Sequence, residues 1–374
     1  MTIGWYLHHH GGGHLRRFLA VEPHLEGPVT VLSSLRRPAG LAARVSWVDL
    51  PLDVDEAPPD DPSAGGALHW APRGVPGLRE RTARIAAWAQ DAAATALVVD
   101  VSVEVALLGR LLALPTVVVA QHGRRDDAPH RLAYASAARI VAPWTAATHD
   151  PEHAAGAFGI AFTGAISALD AGRPEGRRGG ATGEGAPGWG THDAPTASAT
   201  RAGPVSAAGR DVLLVVGGGG HDLHAADVRA AAAATGRRWH VAGALRVPPG
   251  DGVVDHGPRV DLAPLLRRSD VVVATAGMGA VADVAAARRP AVLLPQERPF
   301  DEQERHAAAL EDAGLVAVLR RWPAAARWPG VLDEARRRDP RRWSLLHDGR
   351  GAERLARIVH QAAGVRARPP VAVA

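Results

Sequence analysis

The stretch Ser269–Pro290, SDVVVATAGMGAVADVAAARRP, decides the architecture. An acidic residue leads into the apolar run Val271–Ala274, the turn residues Thr275, Ala276 and Gly277 follow, and an Ala-rich helix comes next. Arg288, Arg289 and Pro290 end that helix, and a second apolar run, AVLLP, begins at once. A short apolar run bounded by turn residues is a buried strand, and strand–helix–strand in so few residues requires a parallel pair.

The same unit recurs along the chain. TIGWYL, PVTVL, ALVVDVS, PTVVVA and ARIVAP read as strands in the first half, and DVLLVVG, RWHVAGA, DVVVATA and PAVLLP in the second. Helical stretches separate them, among them Leu78 to Ala94, Ser102 to Leu114 and Gly279 to Arg288. The fold class is therefore α/β, with two doubly wound Rossmann-like domains. Between them runs a segment of Gly, Ala, Pro, Ser, Thr and Arg that is too poor in apolar side chains to offset its own ordering entropy. The expected division is an N-terminal domain over 1–166, a flexible linker or loop over 167–209, a C-terminal domain over 210–364 and a loose tail over 365–374.

Composition narrows the chemistry. The 374 residues include no Cys and no Lys, so all 43 basic residues are Arg. Thiol chemistry, a Schiff-base lysine and a phosphate-loop lysine are excluded. Net charge is only +4 and aromatic residues make up 4%, with the arginines scattered, which speaks against nucleic acid as a partner. No stretch reaches the run of about 20 apolar residues needed to span a bilayer. The expected location is cytoplasmic, with room for peripheral contact at the inner face of the membrane, as a monomer or homodimer.

In open α/β sheets, ligands bind outside the carboxyl ends of the strands, so the turns there carry the candidate residues. The first strand runs into His8, His9, His10, Gly11, Gly12, Gly13 and His14, before a helix expected near Leu15. Its glycines allow a sharp turn and expose N–H groups at a helix N-terminus; a plain βα turn fits them too. A tag would stand outside the first strand, and zinc on His10 and His14 lacks a third ligand. In the second half, the strand ending at Gly217 runs into Gly218, Gly219, Gly220 and His221, with a helix expected from Asp222 or Leu223; such a turn can hold a diphosphate without a lysine. In the third turn, Ala276, Gly277, Met278 and Gly279 open a helix that carries Asp283, and Asp301, Glu302 and Gln303 follow the next strand. Asp53 and Asp55 spell Asp-x-Asp but lie in a Pro-rich acidic loop, so a solvated turn is the expectation and no metal site is assigned.

Together these residues resemble the C-terminal donor-binding domain of glycosyltransferase family 28. The run from Ser269 to Pro290 matches that family's pattern without a gap, with Asp283 where the family usually has a ribose-binding Glu. Gly217 to Gly220 resemble its glycine loop, and Asp301, Glu302 and Gln303 its Asp-x-Gln segment on the donor sugar. His8 to His14 resemble its N-terminal Gly-Gly-x-Gly-Gly-His loop, with His14 on the His. The resemblance is specific over about 211–319 and weak over most of the first domain.

The resemblance implies the GT-B arrangement, with two such domains facing across a cleft. It implies a hexosyltransferase that moves a sugar from a nucleotide diphosphate sugar, such as a UDP-sugar, to an acceptor hydroxyl with inversion. The sugar nucleotide is a co-substrate, and no cofactor or metal is expected. The leaving diphosphate would be held by Gly217, Gly218, Gly219, Gly220, His221, Ala276, Gly277, Met278 and Gly279. His14 is the candidate base, because an imidazole titrates near working pH, and Asp100 at the end of ALVVD is its candidate partner. Gly11, Gly12, Gly13, His122 and Arg124 would face the acceptor, with Gln121, Arg125 and His130 beside them. Two arginines there suit an anionic acceptor such as a lipid phosphate, in bacterial cell-surface glycan or glycolipid synthesis. A sugar-nucleotide epimerase of the same fold and a non-catalytic sugar-nucleotide binder are the competing readings.

Overall fold

The computed structural model describes residues 1–55, 58–170, 211–248, 250, 252–258 and 260–364; the expected linker beyond 170 and the tail from 365 lie outside them. The chain forms two compact units. Unit 1 is Met1–Ala171, Phe300–Glu302 and Leu345–Ala374, and unit 2 is Gly172–Pro299 and Gln303–Ser344.

Unit 1 runs β1 (Ile3–Leu7), α1 (Gly13–Val21), β2 (Val29–Ser33), β3 (Val45–Asp49), α2 (Pro76–Asp91), β4 (Ala96–Asp100), α3 (Val103–Leu111), β5 (Thr116–Val119), α4 (Ala128–Ser136), β6 (Arg139–Ala142) and β7 (Ile160–Phe162). All its strand pairs are parallel, in the order β3-β2-β1-β4-β5-β6-β7. Every residue of β1, β2, β4 and β5 is buried, as a parallel sheet covered on both faces requires. The strand order reverses between β1 and β4, where Leu7 pairs with Asp100. The crevice at that switch point is where such a sheet offers a ligand site.

Unit 2 runs β8 (Val212–Val216), α5 (Ala225–Thr235), β9 (Trp239–Gly243), β10 (Val253–Gly257), α6 (Leu262–Arg268), β11 (Val271–Ala274), α7 (Met278–Ala287), β12 (Ala291–Leu293), α8 (Glu302–Asp312), β13 (Ala317–Val318) and α9 (Trp328–Arg336). Its sheet is parallel in the order β10-β9-β8-β11-β12-β13 and switches between β8 and β11. The expectation of two doubly wound Rossmann-like units holds.

The last helix, α10 (Gly351–Ala362), belongs with unit 1, whereas the sequence reading ran the C-terminal domain to 364. The cause is packing. Ala352, Leu355, Ala356 and Val359 enter the same core as Ile3, Trp5, Val98 and Val117. Gly351 permits the approach, since a Cβ there would meet the Ala165 carbonyl oxygen at 2.7 Å. Edge strands β3, β7, β10 and β13 escape a reading by apolar runs, because they are short or half-exposed. Helix α5 starts at Ala225, later than expected, because the Asp222 N–H donates to Gln296 Oε1 and holds the preceding segment off the helix.

Candidate functional site

At the switch point of unit 1, Gly11 turns at φ 78°, Gly12 caps α1 and Gly13 begins it, which sets His14 in its first turn. Across the switch, β4 ends in Asp100, which is fully buried. His14 Nδ1 lies 2.9 Å from Asp100 Oδ1, and Arg17 Nη1 donates to the same oxygen at 2.6 Å. One turn of α1 thus places both partners on a single carboxylate. Burial pushes the Asp100 carboxyl up, but Arg17 and His14 together hold it below the usual carboxylate range. The ionised carboxylate fixes the His14 proton on Nδ1 and leaves Nε2 as the basic nitrogen. Val101, next in the chain, takes φ 66°, a costly conformation for a β-branched residue and one that concentrates at working sites.

The histidine run stands beside this pair. The rings of His8 and His9 stack at 4.8 Å, and the His8 centroid is 6.3 Å from that of His14. One ring nitrogen from each of His8, His9 and His10 lies within 4.8 Å of the others, and the His9 and His10 rings are tilted by 39°. His8 Nδ1 accepts the His10 N–H at 3.2 Å. Asp53 is committed to Arg81, Oδ2 to Nη1 at 2.5 Å, and so does not act as half of a free carboxylate pair with Asp55.

The other residues expected near the acceptor divide. His122 is 1% exposed and stacks on Trp144 at 4.0 Å, so it belongs to the interior and not to a rim. Arg124 is exposed and pairs with Asp301 at 3.3 Å; Arg125 is buried and pairs with Glu302 at 3.1 Å. Asp301 and Glu302, expected on a donor sugar, thus have guanidinium partners, and Phe300–Glu302 cluster with unit 1. Gly123, at φ 106°, makes room for them, since a Cβ would meet the Phe300 carbonyl at 2.4 Å. His130 donates from Nδ1 to Asp127 at 2.8 Å, and Arg125 Nη1 lies 3.3 Å from its Nε2.

At the switch point of unit 2, two turns meet. Gly217 N–H donates to Thr275 Oγ1 at 3.3 Å, and Gly218, Gly219 and Gly220 stand exposed beyond it. Gln303 Oε1 accepts the N–H groups of Ala276 at 3.1 Å and Gln296 at 3.0 Å, while His306 Nδ1 donates to the Ala276 carbonyl at 2.7 Å. Burial lowers His306 to about 4, so the ring is neutral. Helix α8 thereby clamps the turn that opens α7. Gly277 caps α7 without a side-chain bond, which leaves N–H groups around Met278 and Gly279 for an anion. Asp283 is 1% exposed and offers a ribose little surface in this structure. His221 is half-buried. Sequence reasoning missed Arg298, whose Nη2 donates to the Gly220 carbonyl at 2.7 Å and lays a cation along the glycine loop. Only its place after a strand could have marked it.

Residues 259–325 match the glycosyltransferase family 28 C-terminal domain. No curated protein matches the chain. The fold is that of the GT-B glycosyltransferases. The calicheamicin glycosyltransferase CalG4 superposes with a TM-score of 0.62 at 17% identity, over 99% of each chain. UGT2 of Phytolacca americana, complexed with UDP-2-fluoroglucose and pterostilbene, gives 0.62 at 13%, over 97% of this chain and 99% of its own. MurG of Acinetobacter baumannii gives 0.52 at 14%, over 96% and 100%. Among the described residues, no helix is long and apolar enough to cross a membrane.

Proposed function

We propose that this chain, a GT-B-fold glycosyltransferase carrying a family 28 C-terminal domain over residues 259–325, transfers a sugar from a nucleotide diphosphate sugar to an acceptor hydroxyl, with His14 as base. The observation that carries the mechanism is the His14–Asp100 bond of 2.9 Å at the switch point of unit 1. His14 Nε2 takes the proton of the attacking hydroxyl, and Asp100 holds the resulting imidazolium. Arg17 helps to keep Asp100 ionised. Attack on the anomeric carbon from the side opposite the diphosphate inverts that centre.

Unit 2 holds the donor. The exposed glycine loop, the uncapped start of α7 and Arg298 supply N–H groups and one cation for a leaving diphosphate. They do the work a metal would otherwise do. The UDP-2-fluoroglucose bound by the Phytolacca americana protein supports a uridine nucleotide as the first donor to try. An anionic lipid-linked acceptor loses its main support, because Arg124 and Arg125 both carry carboxylate partners.

The test is thermal stabilisation by a panel of nucleoside diphosphates with EDTA present. A ligand at 100 times its dissociation constant adds about 2.7 kcal/mol. A shift with one base, retained in EDTA and reduced in Arg298→Ala, is expected. No shift with any nucleotide would remove the donor site.

A further inference from the structure

Unit 1 holds a cavity of about 420 Å³, walled on one side by His8, His9 and His10. That size is ordinary for a small-molecule site. The lining also carries a large apolar share, from Leu78, Ile85, Val103, Leu108, Tyr134 and Phe300.

The charges around it are already matched. Arg81 pairs with Asp53 at 2.5 Å, and Arg125 pairs with Glu302 while its guanidinium sits 4.6 Å from the centre of the Phe300 ring. Glu104 Oε1 accepts the N–H groups of His69 and Trp70 at 2.8 and 3.0 Å. Burial lowers His8 to about 3 and His130 to about 4, so neither adds a charge at neutral pH. Each arginine in the wall has its own carboxylate, and a phosphate entering here would lose water without gaining a free cation.

Neutral polar groups remain in the lining: Gln121 Nε2 is buried without a hydrogen-bond partner among the described residues, and His8 stands beside the catalytic pair. Because His8 Nδ1 accepts the His10 N–H, the neutral ring carries its proton on Nε2, a donor for a ligand oxygen. His8 is also the cavity residue whose ring approaches His14, at 6.3 Å between centroids.

We infer that this cavity seats the acceptor, and that the acceptor is an uncharged, largely apolar molecule presenting a hydroxyl beside His8. The word acceptor rests on the transfer proposed above, whereas the chemical class of the ligand rests on the cavity alone.

The probes are 2-naphthol and 2-naphthyl phosphate, titrated calorimetrically into the full chain without any nucleotide. The expected result is 2-naphthol binding at least tenfold tighter than its phosphate. Thr82→Trp, on the exposed side of α2 at the cavity wall, should weaken 2-naphthol at least tenfold and leave the thermal midpoint and the nucleotide response unchanged. Asp53→Asn, which releases Arg81, should narrow the preference by raising affinity for the phosphate; if that variant melts at room temperature, Glu302→Gln, which releases Arg125, is read instead. Tighter or equal binding of the phosphate, no binding of 2-naphthol, or 2-naphthol binding untouched by Thr82→Trp would each overturn the inference. Loss of the nucleotide response with 2-naphthol binding intact would instead count against the transferase reading and leave the cavity's ligand class standing.

Discussion

His14 Nδ1 and Asp100 Oδ1 stand 2.9 Å apart across the β1–β4 switch point, 86 residues apart in the chain. Two strand ends that pair as neighbours in a parallel sheet deliver them to one place, and Arg17 on the same oxygen fixes the charge of the carboxylate. Asp100→Asn removes that charge and lets the amide hold the wrong tautomer. Turnover should fall about 10²–10⁴-fold while the nucleotide-induced thermal shift stays as in the parent. Unchanged turnover would dismiss the dyad.

Protonation of buried histidines makes the fold sensitive to mild acid. His130 is lowered to about 4 by burial first and Arg125 second, against about 6.5 in the unfolded chain. Its contribution is fully present above pH 6.5 and is lost as pH falls toward 4, because the unfolded chain takes up the proton first. The slope approaches about 1.4 kcal/mol per pH unit for one such group. In urea melts at pH 7 and pH 5, His130→Gln should lose less stability than the parent. An equal loss would mean that His130 does not carry it.

Gln303 joins two turns through one carbonyl oxygen. Gln303→Ala leaves the N–H groups of Ala276 and Gln296 buried without an acceptor, at a cost of about 1–3 kcal/mol. The loosened turn should also weaken nucleotide binding, and Gln303→Glu, which keeps an accepting oxygen, should restore much of it. Full binding in the alanine variant would place the donor elsewhere.

Leu355 on α10 is fully buried in the core of unit 1. Leu355→Ala should cost about 2–5 kcal/mol. Hydrogen exchange should accelerate in β1 and β4 and stay slow in β8 and β11. Acceleration in β8 instead would assign the helix to unit 2.

The parallel sheets were legible because their strands are unbroken apolar runs ended by glycine, as in Val212–Val216 before Gly217 and Val271–Ala274 before the turn at Gly277. The same punctuation exposed His14 and the glycine loop. Asp100 was readable only as a strand end, since nothing local in ALVVD reveals Arg17 or His14 beside it. The membership of α10 was not readable, because Leu355 and Val359 show that a helix face is covered without showing by what. The partners of Arg124 and Arg125 were hidden for a like reason: Asp301 and Glu302 reach them through residues at φ 62° and 54°, a left-handed turn that Phe300 and Asp301 do not announce.

The central claim is that His14 is the base and that the donor is held without it. The most direct measurement compares single-turnover transfer and nucleotide-induced stabilisation in the parent and in His14→Ala. The account predicts transfer reduced at least 10²-fold with stabilisation unchanged. Transfer preserved, or stabilisation lost along with it, would contradict the claim and make His14 a spectator or a donor ligand.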